Sequence, residues 1–189
     1  MNELIVFSGG PYSGKTTTLE IFKKNGHTVI KEAALDVINK LTRDLGVKEQ
    51  QEFMLNNPLY FQNLVFEKQI ENEKSILTKK HKNNIIFLDR SVLDGFAYLH
   101  YNKVLWGAEL YNFIPKYKYN EIFIFETLSN FKNRKDSGRV ENNKEDSLAI
   151  KNSILFTYKF FGYKPHLVFE KIIDERVAEI KLKLQVDFS

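Results

Sequence analysis

Short apolar runs alternate along this chain with longer stretches in which apolar residues return every three or four positions. Leu4–Phe7, His27–Ile30, Ile85–Leu88, Glu121–Phe125 and Leu167–Phe169 read as strands. The run Ile85-Ile86-Phe87-Leu88 has no polar member, which suits a strand covered on both faces of a parallel sheet. Between the strands, Thr16–Lys24, Ala33–Leu41, Leu59–Lys80, Ser91–Tyr101, Glu145–Phe161 and Ile173–Leu184 carry helical spacing. Pro58 stands at one helix start, Ser91 suits an N-cap, and Gly162 suits a helix stop. Strands alternating with helices predict an α/β three-layer sandwich, a mostly parallel five-stranded sheet with helices on both faces. A single domain spanning 1–189 is expected, with a lid segment around 131–142. In such sheets ligands collect beyond the carboxyl ends of the strands. That singles out Gly9–Thr16, Glu32, Asp89-Arg90, Glu126–Arg139 and Glu170-Lys171.

Composition narrows the class. Hydrophobic residues make up 43% and charged residues 28%, the balance of an ordinary globular chain. With no cysteine there is neither a disulfide framework nor a thiolate metal site, in keeping with a reducing cytoplasm. The net charge of +4 comes from scattered lysines and reads as a solvated surface, not a nucleic-acid stripe. No apolar run approaches the roughly 20 residues of a membrane span, and Leu4–Phe7 is too short for a signal peptide. A cytoplasmic protein is expected, without a membrane span or a clear nucleic-acid site. Oligomeric state leaves no mark on the sequence.

The strongest chemical signal is Gly9-Gly10-Pro11-Tyr12-Ser13-Gly14-Lys15-Thr16, a glycine, four residues, then Gly-Lys-Thr, lying between a strand and a helix. Glycines let backbone N–H groups turn inward onto phosphate oxygens, and the following helix N-terminus adds partial positive charge. Lys15 then reaches the β- and γ-phosphates and the Thr16 hydroxyl ligates Mg²⁺. The loop predicts nucleotide contacts from Gly10, Pro11, Tyr12, Ser13, Gly14, Lys15, Thr16 and Thr17, and a P-loop NTPase fold. The cofactors expected are Mg²⁺ and ATP, with GTP as the alternative.

Three further residues sit at strand ends. Asp89 either holds Mg²⁺ through water beside Thr16 or caps the next helix. Arg90 either binds an anionic or hydroxylated substrate or makes a surface salt bridge. Glu32 either accepts the proton of an attacking substrate hydroxyl or offsets the dipole of the following helix. Ser91-x-x-Asp94 matches a capping box. Lys132, Arg134, Lys135 and Arg139, with Ser137-Gly138 among them, form either a lid that neutralises the phosphoryl group in transit or a solvated basic loop. Asn143-Lys144-Glu145-Asp146 copies a guanine-reading tetrapeptide but follows no hydrophobic strand, and is read as coincidence.

These residues together resemble the P-loop AAA-type ATP-binding domains of the ribosylnicotinamide kinase type. That group also takes in a nucleotide- and phosphoinositide-binding trafficking protein, the TRPL translocation defect protein, and lies near deoxynucleoside and thymidylate kinases. The likeness runs through Gly9–Thr17, Lys31-Glu32-Ala33-Ala34 and Phe87-Leu88-Asp89-Arg90 with Asp94 and Ala97-Tyr98. It continues through Asp136–Glu141, Tyr158 with Gly162-Tyr163, and Glu175-Arg176. Thr127-Leu128-Ser129 departs from it, standing where the group often has a proline. The resemblance implies catalytic roles for Lys15, Glu32 (as general base), Asp89 and Arg139. It adds Arg134 to the nucleotide site and assigns Glu32 and Arg90 to the acceptor. The activity implied is transfer of the γ-phosphate of Mg-ATP to a small nucleoside-like or nucleotide acceptor. The alternative is a nucleotide-dependent switch or NTPase without such an acceptor.

Overall fold

The computed structural model describes residues 2–79, 84–130, 140–141 and 143–185. Along the chain run β1 (Glu3–Gly9), α1 (Lys15–Lys24), β2 (Thr28–Ile30), α2 (Ala33–Leu45), α3 (Val47–Asn56) and α4 (Pro58–Leu77). β3 (Ile85–Asp89), α5 (Val92–Tyr101), a 3-10 turn (Ala108–Phe113), β4 (Glu121–Phe125), α6 (Lys144–Phe160), β5 (His166–Val168) and α7 (Ile173–Leu184) follow. Most elements lie where the apolar pattern predicts, within a residue or two. Three differ. α2 runs a further turn to Gly46, whose φ of +90° ends it. α4 stops at Leu77, short of Lys80, which lies outside the described residues. α3 is additional: its two buried residues are Gln50 and Met54, one of them polar, so it carries no apolar stripe.

The sheet order is β2-β3-β1-β4-β5, with every pair parallel. Alternation along β1 splits the core. Leu4 and Val6 join Ile86, Leu88, Ile122 and Ile124 under α4, α5 and α6. Ile5 and Phe7 face α1 and α7 with Phe87, Phe123 and Phe125. Phe7 is the hub of that layer, its ring centroid 5.1–5.6 Å from Phe22, Phe87, Phe123 and Phe125. A third cluster joins α2, α3 and α4 through Ala33, Val37, Met54 and Phe61.

In many such sheets strand two lies beside strand one, which would bring Glu32 to the rim of the phosphate site. Here β2 pairs with β3, and β3 fills the slot beside β1. The physical reason is composition and length: β3 is apolar from Ile85 to Leu88 and suits an interior place, whereas a three-residue β2 suits an edge. Glu32 is therefore brought to the site by a side-chain partner just after β3, Arg90.

Candidate active site

The loop between β1 and α1 is held from behind as well as shaped from within. Gly14 has φ +84° at the N-cap of α1, a conformation that costs an L side chain about 1–2 kcal/mol. Gly10 packs so closely on α6 that a Cβ there would overlap the Ser147 backbone carbonyl. Ser147 Oγ donates to the Pro11 carbonyl at 2.8 Å, and Arg176 of α7 donates to the Ser13 carbonyl at 3.4 Å. Inside the loop, Lys15 Nζ donates to the Gly10 carbonyl at 2.9 Å, Ser13 Oγ at 3.2 Å and the Gly9 carbonyl at 3.3 Å. That puts a buried cation at the centre of the loop. Thr16 and Thr17 are exposed at its mouth.

The Thr16 hydroxyl donates to Asp89 Oδ2 at 2.8 Å, so the two residues expected at the metal meet across the β1–β3 pair. Asp89 Oδ1 is buried and has no hydrogen-bond partner among the described residues. Hydroxyl and carboxylate oxygens are the hard donors that Mg²⁺ takes, and Mg²⁺ keeps much of its water beside one or two protein ligands. The residues present fit that ion. Burial, and then the nearby Glu32 carboxylate, push the Asp89 pKa up; Lys15, Arg90 and the Thr16 hydroxyl oppose the rise. A divalent cation would favour the charged form further.

Arg90 follows Asp89 with φ +71°, rare for a side chain of this size. Its amide donates to the Phe7 carbonyl at 2.9 Å. Its guanidinium donates through Nε to Glu32 Oε1 at 2.9 Å and through Nη1 to Asp94 Oδ1 at 3.0 Å, and it lies 5.2 Å from the centre of the Tyr98 ring. Arg90 is only 4% exposed, so the pair is a buried one and not a surface salt bridge. Glu32 occupies the N-cap position of α2, yet its side chain makes no capping bond. Asp94 does two things at once. It completes the capping box with Ser91, and it accepts from Arg90, Tyr158 (2.7 Å) and Ser8.

Beside this hub lies a cleft of about 200 Å³ between the start of α4, the end of α5 and the start of α6. Phe61, Gln62, Tyr98, Tyr101, Glu141 and Asp146 are among the residues lining it. Tyr98 is the same ring that lies under Arg90, and Phe61 packs with Ala33 and Val37 just after Glu32. Tyr98 and Phe61 thus stand between the cleft and the Glu32 side of the site.

The family description "AAA domain" matches residues 4–176, most of the chain and all of these elements. The chain belongs to the AAA domain family. Among curated proteins no sequence match was found. Solved structures share the fold at low identity. Deoxyadenosine kinase from M. mycoides with bound dATP aligns with a TM-score of 0.69 at 16% identity, over 98% of this chain and 100% of that one. Thymidylate kinase from Ehrlichia chaffeensis aligns with 0.65 at 20%, over 97% and 99%. NadR protein in complex with NR aligns with 0.73 at 12%, over 100% of this chain and 52% of that one.

Within this AAA domain the structure brings Lys15, Thr16, Glu32, Asp89 and Arg90 together. Arg134 and Arg139, with the rest of the 131–139 segment, lie outside the described residues. Asn143 of the guanine-like tetrapeptide is the N-cap of α6: its Oδ1 accepts from the Asp146 amide at 2.7 Å. Sequence reasoning missed Ser147 as an outer support of the loop and gave Arg176, though it is part of the resemblance, no role there, because no local pattern marks a residue that touches the loop from another element. It also missed Ser8, although a hydroxyl immediately before the glycines sits where it can face a neighbouring strand end. Among the described residues no helix of the AAA domain is long and apolar enough to cross a membrane.

Proposed function

We propose that this AAA domain is a cytoplasmic, single-domain P-loop kinase that moves the γ-phosphate of Mg-ATP to a hydroxyl of a nucleoside-like acceptor. The observation that carries this reading is the placement of Glu32. Its carboxylate is buried, held by Arg90, and close enough to Asp89 for the two charges to oppose each other. A switch protein has no use for such a carboxylate, set one aromatic ring away from a cleft through Tyr98. In the reading, the loop amides and Lys15 bind the β- and γ-phosphates and hold the γ-phosphate in line. Thr16 and Asp89 would hold Mg²⁺, which supplies charge neutralisation on the phosphate oxygens. Glu32 accepts the proton of the acceptor hydroxyl as that oxygen attacks phosphorus and the bond to the β-phosphate oxygen breaks. Arg90 fixes the carboxylate and meets the acceptor's polar groups, while Arg134 and Arg139 are assigned to the lid.

The acceptor is read as a nucleoside and not a nucleoside monophosphate. Among the described residues lining the cleft, the charged ones are Glu141 and Asp146, both acidic. Phe61, Tyr98 and Tyr101 supply faces for a planar base, and Gln62 supplies an amide. Of the kinases of similar fold, deoxyadenosine kinase is named for a nucleoside and thymidylate kinase for a nucleotide.

The test is Glu32→Gln, assayed with Mg-ATP against nucleosides, ribosylnicotinamide and nucleoside monophosphates. Transfer should fall roughly 10²–10⁴-fold while ATP affinity by calorimetry barely changes. Wild type that phosphorylates nothing on the panel, with Glu32→Gln lowering only thermal stability, would replace this reading with the nucleotide-binding switch.

A further inference from the structure

Gln69 and Glu73 lie one turn apart on α4, 3% and 0% exposed, and no step of the proposed transfer uses either. Gln69 Nε2 donates to Glu73 Oε1 at 2.7 Å and to the Arg90 carbonyl at 3.3 Å. Glu73 Oε2 accepts from the hydroxyls of Tyr117 at 2.6 Å and Tyr119 at 3.1 Å, both in the segment leading into β4. The carboxylate is thereby tied to the sheet, and it in turn fixes the plane of the Gln69 amide.

The consequence falls on Arg90. Its N–H is held by the Phe7 carbonyl of β1 and its C=O by Gln69 of α4, so both peptide groups flanking its φ of +71° are gripped from opposite sides. A non-glycine residue keeps such a conformation only where its surroundings over-determine it. From that conformation the guanidinium reaches both Glu32 and Asp94.

We propose that Gln69, its amide oriented by Glu73, is a positioning residue for the transfer: it holds Arg90 in the left-handed conformation from which Arg90 aims Glu32. This rests on the reading of Glu32 as the base, and the experiment separates the two. Gln69→Leu is compared with wild type, alongside Gln69→Leu/Glu73→Gln, which also removes the buried charge and so guards against simple failure to fold. Amide exchange of the ligand-free protein by NMR should speed up roughly tenfold or more at Arg90 while the β4 amides stay as in wild type. In steady-state assays kcat should fall roughly 10–100-fold with KM for ATP unchanged. In a Glu32→Gln background the same substitution should take away nothing further, because both act through one carboxylate. Unchanged exchange at Arg90, or a loss of kcat that adds in full to that of Glu32→Gln, overturns the proposal. If wild type transfers to no acceptor, the kinase reading falls, and faster exchange at Arg90 still supports the hold of Gln69 on it.

Discussion

The two sides of the site are built in opposite ways. The phosphate side is eight consecutive residues, proposed to bind mostly through their backbone, closed by one hydroxyl–carboxylate contact between Thr16 and Asp89. The proposed acceptor side is assembled by side chains from distant stretches: Glu32 before α2, Arg90 after β3, Asp94 in α5, and Tyr158 in α6. The first is a local motif that any strand–loop–helix can carry. The second exists only when the whole sheet and its helices are in register, so its failure should appear as lost stability as well as lost chemistry.

The sharpest way to break that contrast is Arg90→Met. Removing the cation leaves Glu32 and Asp94 buried without their partner, which costs about 3–5 kcal/mol of stability in urea titration. A variant as stable as wild type would mean that the acceptor side is not a structural unit. Lys15→Ala is the mirror image. It should weaken ATP by roughly 10²-fold or more in calorimetry, from about 2–5 kcal/mol for a desolvated charge partner, and leave the far-UV circular dichroism unchanged. ATP bound as tightly as by wild type would remove the loop from the nucleotide site.

Asp89→Asn tests the seam between the two sides. The Mg²⁺ concentration for half-maximal turnover should rise roughly 10–100-fold, with little effect on the melting temperature of the ligand-free protein. Equal Mg²⁺ dependence would leave Asp89 as a partner of Thr16 alone.

The smallest effect concerns Glu73. Burial pushes its pKa above the ordinary 4.5, while the donors from Tyr117, Gln69 and Tyr119 pull the other way. Because the native state holds this proton to higher pH than the unfolded chain, the associated stability is fully present below the ordinary pKa. It is lost as pH rises through the raised value. Glu73→Gln cannot ionise, so melting curves from pH 4 to 8 should fall less steeply with pH than those of wild type. Parallel curves would mean that Glu73 titrates normally. Asp89 shifts in the same direction in both proteins and so cancels from the comparison.

The contrast between the sides also explains what could be read from the chain alone. The loop, and Asp89-Arg90 at a strand end, are legible because neighbours in sequence are neighbours in the site. The capping box of Ser91 and Asp94 is legible for the same reason, and the structure contains it. The second use of Asp94, as a carboxylate facing Arg90, depends on the positive φ of residue 90, which no residue type announces there. The place of β2 beside β3 is likewise a property of the sheet, and α3 hides behind a buried glutamine. Ser147 and Arg176 support the loop across 136 and 163 residues of chain, a contact that no local pattern announces.

The sheet order carries a consequence in time. β1 is the first strand to be synthesised and the middle strand of the finished sheet, with Glu3 aligned on Ile85 and Ile5 on Glu121. At about 5–20 residues per second, roughly 6–23 s pass between the making of Ile5 and of its partner on β4. Until Phe87 of β3 is made, roughly 4–16 s after Ile5, the nascent chain carries Leu4-Ile5-Val6-Phe7 with neither neighbour to cover it, ahead of a loop that has nothing behind it. A chain arrested on the ribosome before β4 emerges would therefore hold all eight loop residues and still lack the supports from α6 and α7 that shape them.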